Sequence, residues 1–379
     1  MYPAMTRCPV CEAASQPFRE VDGHAFFACP ACGLIHIDPQ TIAAIDAGRP
    51  VIAYADDYWR TELSAARERA FGEGLARACE VFVLARRPVR RFLDIGTGPG
   101  LFLDAVSTFL PWMADSFHGV ELFPPPESDR STHPHYRVGR VSDYPPASFD
   151  GGLCMEVLEH LTPRMVGTLL AETAAVATDE ACFLMNTGLA DYTRNEYPGY
   201  LDPRGCGHII SWTVESVDIL ARPHGLIASA CPGRTWCFLL EKSAAPRPAV
   251  EERMARPLPE NLSRLSPVAG QRSPFVLLAE AGLRASDYYG QFLERTRWAL
   301  SLDRELADAR AKLAETDAEI ARFAQATAGL TDQLRGLTRR TEDASAVYGS
   351  TSWRVTAPLR RLSNLSRRLL SRGGAPPAR

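Results

Sequence analysis

Residues 91–100, Arg91-Phe92-Leu93-Asp94-Ile95-Gly96-Thr97-Gly98-Pro99-Gly100, pass from a short apolar run into three alternating glycines, and Leu101-Phe102-Leu103 follows. This order predicts a buried strand, a glycine turn and a helix start. Glycines at such a turn let the backbone approach a ligand closely and aim amides at it. A dinucleotide fingerprint would place its third glycine at 101, where the chain has Leu101. Asp94, inside the strand, suits a cationic amino-acid ligand better than a pyrophosphate. Outward from this stretch, strands are expected near 91–95, 117–121, 136–141, 150–155, 181–186, 226–230 and 235–240. Helices are expected near 100–110, 163–178 and 213–222, with Thr162 and Pro163 as N-cap and first helical residue. The alternation predicts an α/β fold, a mostly parallel sheet covered by helices. Glu121 closes the second strand, where a carboxylate can accept both hydroxyls of a ribose.

A second motif, Cys154-Met155-Glu156-Val157-Leu158-Glu159-His160-Leu161, closes the expected fourth strand. Together with the glycine turn it resembles the class I S-adenosylmethionine-dependent methyltransferases, in particular the small-molecule group that carries "EVLEH" here. The resemblance covers residues 80–242 and implies a Rossmann-like seven-stranded sheet. It also implies that Asp94, Gly96, Thr97, Gly98 and Gly100 surround the methionine part of S-adenosylmethionine, that Glu121 holds the ribose and that Asp143 lies toward the adenine. Two departures stand out. Arg140 occupies the position where relatives often carry an acid, and Pro124-Pro125-Pro126 shortens the helix expected after the second strand.

In ubiquinone-pathway O-methyltransferases and small-RNA 2′-O-methyltransferases, similar Glu-x-x-Glu-His motifs hold a divalent ion with a later histidine. By that resemblance Glu156, Glu159, His160 and His208 form a candidate site for Mg²⁺ or another divalent cation, and His160, His208 and Glu156 are the catalytic candidates. A cation there would polarise an acceptor hydroxyl, and an adjacent histidine would take its proton. The alternative is that Glu159 and His160 only pair with backbone. Residues 188–210, with Tyr192, Tyr197 and Tyr200, are expected to form the acceptor loop. Tyr54, Tyr58 and Trp59 would form either a lid or the face of a helix packed on the sheet.

Upstream, Cys8, Cys11, Cys29 and Cys32 follow the pattern C-x2-C-x17-C-x2-C, which suits two knuckles sharing one tetrahedral zinc. The spacer carries Phe18, Phe26, Phe27 and Gly23, a hairpin pattern, so residues 1–45 are expected to form a zinc ribbon. Residues 46–90 follow as a helical lid or linker, and 91–243 as the methyltransferase domain.

Six prolines between 244 and 274 mark 244–286 as an extended linker. Beyond it the period changes to seven. Positions a (Phe292, Ala299, Leu306, Leu313, Ile320, Thr327, Leu334) and d (Arg295, Leu302, Ala309, Thr316, Phe323, Leu330, Leu337) are apolar in eleven of fourteen cases, which predicts a coiled coil over 287–343 and a homo-oligomer. The net charge of −3 hides an asymmetry, because residues 351–379 hold seven Arg and no acid, leaving 35 basic against 45 acidic residues elsewhere. The acidic body disfavours nucleic acid as partner. In the tail, 344–379, Leu359, Leu362, Leu365 and Leu369 share a helical stripe with Arg360, Arg361, Arg367 and Arg368 around it, which suits peripheral contact with an anionic membrane. Its Tyr348–Arg360 segment resembles one that recurs after coiled coils in bacterial enzymes of surface-polysaccharide synthesis. With no apolar run of eighteen residues and no basic-then-apolar N-terminus, a cytoplasmic protein is expected, at most peripheral at the inner membrane.

These readings converge on O-methylation of a saccharide or other small hydroxyl acceptor in envelope glycan synthesis. The competing readings are a non-catalytic scaffold, a nucleic-acid methyltransferase and a sugar C-methyltransferase.

Overall fold

In the computed structural model, residues 5–52, 56–243, 248–266 and 274–370 are described. They divide into two units, residues 1–295 and 296–379. The first opens with four short strands: β1 (Thr6–Arg7), β2 (Ala14–Val21), β3 (His24–Ala28) and β4 (Ile35–Ile37). Asp22 and Gly23 turn β2 into β3, both with positive φ (52° and 80°), as a tight hairpin requires. Helix α1 (Pro39–Asp46) starts at an Asp38 N-cap that accepts the Thr41 amide at 2.9 Å, and α2 (Asp56–Arg69) and α3 (Leu75–Leu84) follow.

The Rossmann-like portion alternates as the residue pattern predicts: β5 (Phe92–Ile95), α4 (Leu101–Phe109), β6 (Phe117–Glu121), β7 (Tyr136–Val138), β8 (Phe149–Met155), α5 (Pro163–Val176) and β9 (Ala177–Asn186). Then come α6 (Ala190–Asn195), β10 (Ile210–Ser211), α7 (Val214–Ala221), β11 (Leu226–Ala230) and β12 (Cys237–Lys242). The main sheet has the order β11-β12-β9-β8-β5-β6-β7. Strands β5 to β9 are mutually parallel, and β12 lies antiparallel to both β9 and β11.

Period-two alternation decides which layer each strand residue supports. Phe183, Met185, Phe238 and Leu240 pack with α5, α7 and the ribbon strands, while Cys182, Leu184, Cys237 and Leu239 pack with α3 and α4 on the other face. On that second face Phe82, Phe92, Phe102 and Phe117 form an aromatic cluster, with Phe92 and Phe117 centroids 4.8 Å apart.

Two boundaries differ from the sequence reading. The proline-rich stretch is no extended tether where it is described: α8 (Val250–Ala255), α9 (Pro259–Arg264) and the start of α10 (Pro274–Gly349) bury Val250, Leu265, Val276, Ala279 and Leu283 in the α3/α4 layer. Arg253 of α8 makes two hydrogen bonds, 2.8 and 3.0 Å, to the buried Glu241 carboxylate of β12, and Asn261 accepts the Val89 amide at 2.9 Å. Pro259 and Pro274 open helices here instead of extending the chain. The ribbon is also not self-contained, because β10, far later in the chain, completes its sheet in the order β1-β2-β3-β4-β10.

In the second unit α10 continues to Gly349, giving a helix of 76 residues, roughly 110 Å at 1.5 Å per residue. Leu306, Leu313, Ile320, Phe323, Leu330, Leu334 and Leu337 are all exposed along it. Helices α11 (Thr351–Val355) and α12 (Ala357–Leu370) follow, with Leu359, Leu362 and Leu365 exposed. The side chains of Arg368 and Leu369 lie outside the described set, as does Tyr54.

Candidate active site

At the carboxyl end of β5 the chain reverses through Gly96, Gly98 and Gly100, with φ of 72°, 56° and 80°. These are left-handed values that side chains other than glycine's adopt at a cost. The space is also closed to a Cβ, which at Gly96 would lie 2.4 Å from Val157 Cγ2 and at Gly100 2.6 Å from the Tyr136 ring. The Gly96 and Thr97 amides donate to the Val120 carbonyl (2.9 and 3.1 Å), and Tyr136 Oη donates to the Gly98 carbonyl at 2.9 Å.

Glu121 sits at the end of β6 as expected, but its carboxylate is engaged by backbone. Oε2 accepts the Gly98 amide and Oε1 the Phe123 amide, each at 2.8 Å. A carboxylate oxygen has two lone pairs, so ribose hydroxyls can still be accepted while the turn is braced. Asp94 is buried, and that burial raises its carboxyl to about 7. Asp143 is exposed and accepts the Arg140 amide at 2.8 Å, capping a short turn. Trp59 of α2 roofs the turn, its ring 3.3 Å from where a Gly98 Cβ would stand, and its buried Nε1 has no hydrogen-bond partner among the described residues. A glycine cradle under an orphaned indole N–H fits a bound polar ligand such as S-adenosylmethionine.

The next strand end, that of β8, carries the second constellation. Glu156 takes φ 53°, and its carboxylate accepts the Asn186 side-chain amide at 2.8 Å. Glu159 is fully buried: Oε2 accepts the Thr187 hydroxyl at 2.9 Å, while Oε1 accepts no hydrogen bond among the described residues and faces His208 Nε2 at 3.9 Å. His208 Nδ1 lies 2.7 Å from the Tyr200 carbonyl and His160 Nδ1 3.2 Å from the Gly207 carbonyl. Carbonyls accept only, so each Nδ1 carries the proton and each lone pair sits at Nε2. Burial lowers His208 and brings His160 to about 3, so both rings are neutral, and it raises Glu159.

Ligand atoms of Glu159, His160 and His208 lie within 4.8 Å of one another. Of the four candidates the sequence suggested, Glu156 is therefore the one not brought into the cluster. A buried carboxylate beside two neutral imidazoles lacks a counter-charge, which a divalent ion would supply. Two nitrogens and one oxygen suit a transition ion better than Mg²⁺, which prefers oxygen.

Four thiols form the third cluster. Cys8 and Cys32 Sγ are 3.6 Å apart, Cys11 and Cys29 Sγ 3.4 Å, and all four lie within 4.8 Å. Tetrahedral zinc with bonds near 2.3 Å asks for sulfurs about 3.8 Å apart, so the donor set fits. The knuckles form because Glu12 and Gly33 take positive φ (62° and 76°), with the Glu12 amide on Cys8 O and the Gly33 amide on Cys29 O. The ribbon reaches the site directly. Strand β4 pairs with β10 (Ile35 with Ser211, His36 with Ile210), the Ile37 amide donates to Ile209 O at 3.0 Å, and the Ile209 amide to Glu159 O at 3.0 Å. Thr213 Oγ1 donates to Cys32 O at 2.5 Å.

A seven-stranded sheet in this order, with its sixth neighbour reversed, is the Rossmann-like sheet of methyltransferases. The fold is a methyltransferase fold. Solved structures similar to it include the 1,6-didemethyltoxoflavin-N1-methyltransferase of Burkholderia thailandensis with S-adenosylhomocysteine (20% identity, 59% of this chain and 96% of that one, TM-score 0.35). Others are human N-acetylserotonin methyltransferase with SAM (14%, 53% and 62%, 0.39) and the N,N-8-amino-8-demethyl-D-riboflavin dimethyltransferase of Streptomyces davawensis (22%, 53% and 64%, 0.38). The likeness concerns the fold. No family model matches the sequence, and no curated protein matches it.

Asn186, Thr187 and Trp212 are site residues that the sequence reading missed. Their signal was faint: a polar pair, Asn186-Thr187, after the apolar run of β9, and a tryptophan that donates to Leu158 O at 2.8 Å.

Proposed function

We propose that this protein transfers the methyl group of S-adenosylmethionine to a hydroxyl of a small acceptor, most specifically a saccharide of envelope glycan synthesis. The observation that carries this reading is the packing of Gly96 against Val157, which sets the glycine turn and the Glu159, His160, His208 cluster on adjoining strand ends. Bound S-adenosylmethionine supplies an electrophilic methyl on a sulfonium. Asp94, Gly96, Thr97, Gly98 and Gly100 would hold its methionine part and Glu121 its ribose, while Trp59 excludes water. Glu159, His160 and His208 would hold a divalent ion, whose charge would make an acceptor hydroxyl more acidic. Glu156, raised to about 8 by burial and by Glu159, is the nearby group able to exchange a proton near neutral pH. The saccharide assignment rests on the Tyr348–Arg360 resemblance.

The test is transfer from methyl-labelled S-adenosylmethionine to nucleotide sugars, lipid-linked glycans and RNA, with binding followed by calorimetry. Label on a glycan hydroxyl supports the reading, and label on RNA alone refutes it. Because Asp94 is protonated below about 7 in the free protein, binding a cation there expels its proton. Affinity should therefore rise with pH up to about 7 and then level off, with proton release seen in buffers of different ionisation enthalpy. Mild chelation that leaves one zinc per chain should lower turnover at least tenfold, and Mn²⁺ or Zn²⁺ should restore it better than Mg²⁺; undiminished turnover with only one metal ion per chain would eliminate the second metal.

We also infer self-association through α10, since its exposed apolar seam is the kind of surface that a monomer seldom tolerates. Val250, Leu265, Val276, Ala279 and Leu283 belong to the core, so the informative truncation ends after residue 295. It should be monomeric by light scattering where the full chain is not, and it should lose co-sedimentation with anionic vesicles, which the basic α12 would mediate. Among the described residues no helix is long and apolar enough to cross a membrane. Equal monomeric masses for the two forms would overturn the oligomer.

A further inference from the structure

Across the sheet from the glycine turn, at the amino-terminal side of β5, β6 and β7, lies an open cleft lined by Arg91, His118, His135, Arg137 and Tyr144. Tyr144 of this lining packs edge to face on the buried Phe149, with centroids 4.9 Å apart. Each ring carries one guanidinium: Arg91 Cζ is 5.0 Å from the Phe149 centroid and Arg137 Cζ 4.5 Å from that of Tyr144. Stacking fixes the two planar forks without using up their donors. Arg137 Nη1 donates to the Asp143 carbonyl at 2.6 Å, and Arg91 Nη2 stands 3.5 Å from His118 Nε2.

Neither guanidinium has a carboxylate within 4.0 Å among the described residues. The nearby acids are occupied elsewhere. Asp150 accepts the Arg90 and Arg91 amides and the Thr178 hydroxyl, and Asp143 accepts the Arg140 amide. The third wall is imidazole, with His118 and His135 centroids 4.2 Å apart. Burial and the surrounding cations bring His118 down to about 4, so its ring is neutral. Fixed, unneutralised guanidiniums on a concave surface, flanked by hydrogen-bonding imidazoles, match oxyanions read by paired N–H donors. Two guanidinium forks lining one cleft favour a ligand with two anionic centres over a single carboxylate.

We propose that this cleft is a second ligand site, which binds a diphosphate group between Arg91 and Arg137. It is independent of the methyl-transfer reading and lies toward the amino-terminal ends of strands whose carboxyl ends carry that site, although Tyr136 lines the cleft and also donates to the Gly98 carbonyl.

The experiment titrates the full chain with inorganic pyrophosphate and, separately, with ADP, by calorimetry at about 0.1 M salt, where long-range attraction is screened. Saturable binding is expected, weakened at least tenfold by Arg91→Gln and by Arg137→Gln, and unchanged by saturating S-adenosylhomocysteine. Equal affinity for the two probes means the diphosphate alone is read, and tighter ADP binding means a nucleoside adds contacts; both support the site. Both arginines are exposed, so the variants should keep the parent melting temperature, and if one misfolds the other decides. No saturable binding of either probe, undiminished binding to folded variants, or displacement of pyrophosphate by S-adenosylhomocysteine would overturn the proposal.

Discussion

Gly98→Arg should lower affinity for S-adenosylmethionine at least a hundredfold in a protein that still folds. The position has φ 56°, and a Cβ there would meet Trp59 Cη2 at 3.3 Å. A left-handed non-glycine residue costs about 1–2 kcal/mol, which a chain with two large apolar layers should survive. The long side chain would then occupy the space between the turn and its tryptophan roof. Gly98→Ala separates the two effects, since it carries the same backbone cost without the bulk and should lose far less affinity. Calorimetry that finds parent affinity in a folded Gly98→Arg protein would remove the glycine turn from the binding site.

The second large effect belongs to the thiol cluster. Purified under reducing, chelator-free conditions, the protein should carry one zinc per chain, and Cys29→Ser should lose it. Small zinc modules draw about 10–16 kcal/mol of apparent free energy from their metal, so the ribbon should not hold its fold without it. The damage should travel. Phe26, Leu34, Ile35 and Ile37 share a core with α5 and α7, and β4 holds the strand that follows His208. The expected signature is therefore split: near-normal S-adenosylmethionine binding, because the glycine turn is elsewhere, but methyl transfer reduced at least tenfold. Elemental analysis without zinc would count against the ribbon's metal, and intact transfer by a zinc-free variant would show that the ribbon does not brace the site.

Most of the architecture was legible because it depends on local pattern. Apolar runs bounded by glycine, proline and capping residues placed β5 to β9 and α4, α5 and α7 within a few residues. Long-range pairing was not legible in the same way. Strand β10 is two residues long, too short for any periodicity, and its partner lies more than 170 positions earlier. The proline-rich stretch misled because six prolines outweighed a handful of scattered apolar residues, whose burial depends on a tertiary surface that the segment itself does not encode. At the candidate site, residue types pointed to one stretch of the chain, but backbone conformation decides which of them converge. A left-handed Glu156 turns its carboxylate to Asn186, while His208, distant in sequence, comes within reach of Glu159.

The β4–β10 pairing also bears on how such a protein can be altered. A ribbon that lends its last strand to the loop carrying His208 is no interchangeable module, because any graft must reproduce the ladder of Ile35 with Ser211 and His36 with Ile210. Changes in acceptor preference introduced through residues 188–210 will therefore be felt in the four-cysteine knuckles, and the two segments must be redesigned as one piece.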